Sequence, residues 1–188
     1  RADMALSYTS DQEQIRAEAR RFLENSFKSD VNRALLRQRG AYDENFWRAC
    51  IDMGWTGAGV SEAYGGLGLG AVDVCIIAEE CGRFVAASPF LAANYAAMIA
   101  LQDYADEGVR AALAPKIASG EARFALAFFE GDDNLARPTA SLSGGALSGA
   151  KVAVAGAAAA THAIVSTGDA LALVDLSHAS VTRAAGDT

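Results

Sequence analysis

What this 188-residue chain has little of narrows its chemistry first. Its 16 Lys and Arg stand against 23 Asp and Glu, a net charge of −7. A general nucleic-acid binder needs the reverse, because affinity for phosphate comes from clustered cations. Histidine is confined to His162 and His178, and cysteine to Cys50, Cys75 and Cys81. No zinc-ligand spacing can be drawn from these, so no metal site is expected. Each cysteine falls in an expected helix and reads as a small core residue in a reducing compartment, which makes the expected location cytoplasmic. One uncharged run, Phe84 to Gln102, approaches the length of a membrane span. Ser88, Pro89, Asn94 and Tyr95 interrupt that run, and alanine is the commonest of its other residues. A buried helix starting at Pro89 with Ser88 as N-cap is therefore expected in place of a membrane span. The charged amphipathic start of the chain does not read as a secretory signal.

What is present is a 52% hydrophobic chain, enough for a core, whose pattern changes near Gly120. Before that point the periods are helical. In SDQE, Ser10 and Glu13 read as a capping box, and Ile15, Ala19, Phe22 and Leu23 share one helix face. Further helices are expected at Val31–Gln38, Asp43–Met53, Ala71–Arg83, Pro89–Gln102 and Asp106–Ala118. After Gly120 come short apolar runs, ARFALAFF, ALSGAKVAVAG, HAIVST, ALALVD and SVTRA, separated by turn residues. Helices first and strands afterwards predict an α+β chain: an all-α domain over 4–120, then a small antiparallel β domain over 121–188. A sheet of this size leaves an edge and a face to be covered, so an oligomer is expected.

The stretch SEAYGGLGLG, Ser61–Gly70, is the one place that invites a phosphate-cradle reading. A dinucleotide GxGxxG loop follows a strand, whereas the segment before this one, DENFWRACIDM, puts Phe46, Trp47, Cys50 and Ile51 on one helix face, with Gly54 as its stop. Ala71 also stands where the last glycine of that pattern belongs. A turn that connects and aims two helices is the expected reading.

EAYGGLGLGAVDVCIIAEECGR, LAPKIASGEARFALA and LSGAKVAVAGAAAATHAIVS, in that order, resemble the flavin-dependent acyl-CoA dehydrogenases. In that family a YGGLG turn precedes a helix ending in ExxGR, and an LPxxxxGE link leads into a β domain. The resemblance covers about Met4 to Thr188, the family's first two domains, without the C-terminal helical domain that holds its catalytic carboxylate. It implies FAD, an acyl-CoA substrate, an electron-accepting flavoprotein, and association with like chains, as homo- or hetero-oligomer. The reaction implied is α,β-dehydrogenation of a thioester, with loss of the α-proton to a base and of hydride to flavin.

Carried over by motif, the family's TEPGxGSD and KxWITN segments fall on residues that depart from it. Leu126, Ala127 and Asp133 take the flavin-side positions of the first, with Ala127 at the threonine and Asp133 at the serine. Ala153 replaces the ring that stacks on isoalloxazine, and Ala155 replaces the neighbouring hydroxyl. FAD binding by this chain alone is thus in doubt, and the pattern looks like the flavin-poor subunit of heteromeric bacterial enzymes acting on bulky acyl-CoA substrates such as steroid side chains. GRFVAASPF resembles their helix junction, which implies Pro89, Phe90 and Ala93 as acyl-pocket residues. No residue of this chain is expected to be catalytic; Glu79 and Glu80 are the carboxylates nearest in kind, and each reads as an ion-paired or solvated helix residue.

Overall fold

In a computed structural model, described over residues 7–26, 29–35, 42–86, 90–131 and 137–184, a helical layer is followed by two small sheets. The helices are α1 (Ser10–Ser26), α2 (Ser29–Leu35), α3 (Glu44–Asp52), α4 (Ala71–Arg83), α5 (Phe90–Tyr104) and α6 (Glu107–Ala118). The strands are β1 (Phe124–Ala127), β2 (Ser141–Ser143), β3 (Ala146–Ser148), β4 (His162–Ser166) and β5 (Leu171–Asp175). This is the α+β order expected. The proposed starts of α5 at Ser88 and Pro89 lie outside the described residues.

Capping fixes where the helices begin. The reciprocal pair at α1 is Thr9 and Gln12, one position before the expected Ser10 and Glu13: Gln12 N–H donates to Thr9 Oγ1 at 3.2 Å and Thr9 N–H to Gln12 Oε1 at 3.1 Å. The Asp43 carboxylate accepts from Phe46 N–H at 2.9 Å and starts α3, which Gly54 ends at φ +72°. Asp73 accepts from Gly70 N–H at 2.9 Å at the start of α4, and its other oxygen accepts from the Gln12 amide at 3.0 Å, so the first turns of α1 and α4 are tied together. None of the helices of the described residues is long and apolar enough to cross a membrane.

The SEAYGGLGLG stretch folds as the connecting turn. Gly66, Leu67, Gly68 and Leu69 donate their amides to the carbonyls of Ser61, Gly57, Val60 and Ala58, so the N–H groups that would face an anion are used within the turn. Gly65 and Gly68 have φ of +82° and +62°.

Of the three cysteines, Cys50 and Cys81 are buried core residues as expected, and Cys75 is exposed. The buried stripe of α4 runs through Ile76, Ile77, Glu80 and Cys81, and position 75 falls off it. Desolvation raises the thiol of Cys50 well above its usual range and pushes that of Cys81 up to about 12, so both stay protonated.

In the larger sheet the strand order is β1-β4-β5, and β2 pairs with β3 as a hairpin through Gly144 and Gly145, both at positive φ. The expected antiparallel arrangement holds for β4–β5 and β2–β3, whereas β1 and β4 run parallel, Phe124 opposite His162. The long connection from residue 128 to 161 allows that crossover. Of the expected run ALSGAKVAVAG only its start forms a strand, β3, and residues 151–155 are irregular, as are residues 180–184 of the expected run SVTRA.

Asn94 joins the layers. Fully buried on α5, it donates to Ala122 O at 3.0 Å and accepts from Phe124 N–H at 2.8 Å, filling the hydrogen-bonding edge of β1 that faces away from β4. Around it Ala93, Ala97, Met98 and Leu101 of α5 pack with Leu113, Ala114 and Ile117 of α6, and with Phe124 and Ile164 of the sheet.

Candidate functional site

The two segments that the resemblance assigns to the flavin side do meet. Val152 N–H donates to Phe129 O at 2.9 Å, which sets the KVAVA stretch against the chain leaving β1, with Phe129 and Val152 both exposed. Beneath them lies a group that sequence reasoning missed. Glu130 and Lys151, each with a side chain only 7% exposed, form an ion pair at 2.6 Å. Lys151 Nζ also donates to Ser166 Oγ at 3.0 Å, and the Glu130 carboxylate accepts from Thr139 N–H at 2.7 Å, Thr139 Oγ1 at 2.6 Å and Ala140 N–H at 3.0 Å. The hydrogen bond from Lys151, then those from Thr139 and Ala140, hold the Glu130 carboxyl down at about 2. The available sequence signal was a single charge inside each of two apolar runs, FFEG and AKVAVAG, since such charges are buried only when paired.

The expected cofactor positions among the described residues do not form a polar cradle. Ala127 is buried against Ala163, Val165 and Ala172, and Leu126 packs half-buried on the α5 side of the sheet. Ala153 is exposed with φ +52°, and Ala155 is exposed in a turn. Asp133 lies outside the described residues. At the described positions the side chains supply neither a hydroxyl nor a ring, and the Thr139 and Ser166 hydroxyls nearby are engaged with Glu130 and Lys151. On this donor set, the described residues do not fit a flavin.

Among the acyl-pocket positions, Pro89 lies outside the described residues and the side chain of Phe90, the first residue of α5, is likewise not described. Ala93 is 7% exposed and committed to the core between α5 and the sheet, so its methyl does not open onto a cavity. A cleft of about 600 Å³ lies elsewhere, between the glycine turn and the C-terminal half of α5, lined by Glu62, Tyr64, Met98, Gln102 and Arg110. In its walls Tyr64 Oη donates to Glu107 at 2.5 Å and the Arg110 Nη atoms donate to the carbonyls of Gln102 and Ala105.

Glu80 is 1% exposed at the α1–α4 contact. Arg20 grips it with Nε at 3.0 Å from Oε2 and Nη2 at 2.7 Å from Oε1, and Arg16 bonds Glu79 at 3.1 Å. The hydrogen bonds and charge of Arg20 lower the Glu80 carboxyl below its ordinary range, the opposite of what a general base needs.

The family profile "Acyl-CoA dehydrogenase, N-terminal domain" matches residues 9–121. "Acyl-CoA dehydrogenase FadE26" of Mycobacterium tuberculosis (strain ATCC 25618 / H37Rv) is 33% identical over 132 residues, covering 68% of this chain and 33% of that protein. Among solved structures, a variant of the "Tcur3481-Tcur3483 steroid ACAD" superposes with TM-score 0.77 at 31% identity, over 88% of this chain and 48% of that one. The ChsE4-ChsE5 complex from Mycobacterium tuberculosis gives 0.72 at 24% identity over 93% and 49%, which speaks to the fold alone. The chain thus spans a third of the curated relative and about half of the solved chains. By these matches, over the helices and turn described above, the chain belongs to the acyl-CoA dehydrogenase family.

Proposed function

We propose that this chain is a structural component of an acyl-CoA dehydrogenase assembly, pairing with a flavin-bearing sister chain that carries FAD-dependent α,β-dehydrogenation of an acyl-CoA thioester. The observation that carries the reading is the alanine at 127, 153 and 155 beside a polar network that is satisfied within the chain. In this reading residues 4–120 are the helical domain that packs against the sister chain and 121–188 part of the β domain. The assembly is cytoplasmic and passes electrons to a separate flavoprotein. The names of relatives support heteromeric pairing, since one is a two-component steroid ACAD and another a ChsE4-ChsE5 complex. They also favour a bulky, steroid-like acyl group as substrate. The clamp of Arg20 on Glu80 supports leaving the α-proton to a base outside this chain.

The test is an intact-mass measurement with a visible spectrum on the purified chain, followed by assay with acyl-CoA, added FAD and an artificial electron acceptor. The chain is expected to be colourless and to give only background reduction, since positioning and proton transfer together carry many orders of magnitude in rate. Stoichiometric yellow FAD, or turnover abolished by Glu80→Gln, would sink the reading.

A further inference from the structure

The KVAVA stretch runs into a turn over residues 155–159, where the Ala157 amide donates back to Val154 O and the Ala159 and Ala160 amides to Gly156 O. A single helical turn of this kind ends in carbonyls that have no amide of their own to accept from. Among the described residues no backbone N–H donates to the carbonyls of Ala157, Ala158, Ala159 or Ala160. Two arginines take that place, one from each end of the β layer. Arg123, at the entry to β1, donates Nε–H to Ala159 O at 2.9 Å. Arg183, beyond β5, donates through one atom, Nη1, to Ala157 O at 3.0 Å and to Ala158 O and Ala160 O at 3.2 Å. The two anchors differ in how firmly they are themselves held. Arg123 is tied to β4: its N–H donates to Thr161 Oγ1 at 2.9 Å and its carbonyl accepts from the Thr161 and His162 amides. Arg183 is exposed on the irregular stretch 181–184, which is held among the described residues by one backbone hydrogen bond, from Val181 N–H to His178 O. Its Nη1 also has two hydrogens for three carbonyls, so the three bonds are not all at full strength together.

We propose that Arg183 is a releasable latch: it holds the turn at 155–160 to the chain beyond β5, and its release frays that turn while Arg123 keeps the far end on the sheet. A cation on exposed carbonyl dipoles is a weak contact and one that salt screens, so the latched form is favoured by a small margin. Because Ala153 and Ala155 lead into this turn, the order of their stretch is set in part from 181–184. Whatever draws 181–184 away loosens it without opening β1, β4 or β5. The inference is independent of which chain holds flavin.

The experiment reads amide hydrogen exchange residue by residue, by NMR, in the wild-type chain and in Arg183→Ala. In the variant the Ala157, Ala159 and Ala160 amides are expected to exchange about fivefold faster, the loss of one or two exposed hydrogen bonds, while Ile164 and Val165 in the middle of β4 stay within about twofold of wild type. Raising the salt to about 1 M should speed the same three amides in wild type, relative to Ile164 and Val165, and have no such effect in Arg183→Ala. Exchange of all three amides within about twofold of wild type in the variant overturns the latch. So does an equal acceleration of Ile164 and Val165, which makes Arg183 a support of the whole fold. If Arg183→Ala does not fold, the salt series on wild type decides: acceleration confined to the three amides supports the latch, and its absence overturns it.

Discussion

Gly66→Ala is expected to lower stability by about 3 kcal/mol, read as a fall in the urea midpoint at unchanged slope. A Cβ built on Gly66 lies 2.1 Å from Val60 O and 2.4 Å from Val60 Cβ. Val60 is itself 1% exposed, so the obstacle is buried backbone that cannot swing aside. The neighbouring Gly65 makes the control. Its φ of +82° strains any side chain, but an added Cβ meets nothing within 4 Å. Gly65→Ala should therefore cost about 1 kcal/mol, the ordinary charge for a left-handed alanine. Equal losses at the two positions would show that the turn yields, and that close packing is not what this glycine serves.

Lys151→Met should be comparably damaging, by about 3 kcal/mol, because it removes the cation and leaves a buried carboxylate behind. The effect should depend on pH. In the wild-type chain Glu130 is held down at about 2, below the unfolded value for a carboxyl. A depressed folded pKa contributes stability that is complete above the unfolded pKa and is lost as pH falls through the folded one, here between roughly pH 5 and pH 2. Removing Lys151 takes away the largest cause of that depression, so the slope of stability against pH in this window should flatten. Glu130→Gln added to Lys151→Met should recover part of the loss, since no charge is then left unpaired. A wild-type stability profile flat from pH 5 to pH 2 would remove Glu130 from the account.

Much of the helical layer is legible in the sequence because its determinants are local. Asp43 before an amphipathic run and Gly54 after it mark α3 within a residue, and the turn at 61–70 follows from glycines preceded by a helix and not by a strand. Boundaries slip where two residues compete for one cap, as Thr9 and Ser10 do at α1. The β layer is less legible for a physical reason. KVAVAG alternates like a strand, but its lysine is claimed by a carboxylate twenty-one residues earlier, and no local pattern records that contact. The parallel pairing of β1 with β4 is likewise set by a crossover, not by either strand's residues. At the candidate site the stretch after β1 and the stretch at 151–155 meet through Val152 N–H and Phe129 O, and the pairing of Glu130 with Lys151 beneath them joins residues too far apart in the chain for a local pattern to show it.

Asn94 fixes how the two layers come apart. Its side-chain amide takes the place of a strand peptide along β1, so the Phe124 N–H is sealed by a helix residue while the Arg123 carbonyl accepts from Thr161 and His162 on the other side. Neither layer can open at this seam without stranding a buried donor or acceptor of the other. Local fluctuations are therefore expected to stop short of it, and the Phe124 amide to exchange with deuterium only in the global unfolding event, at the same free energy as the innermost amides of α5. The joint makes one cooperative unit out of two kinds of secondary structure.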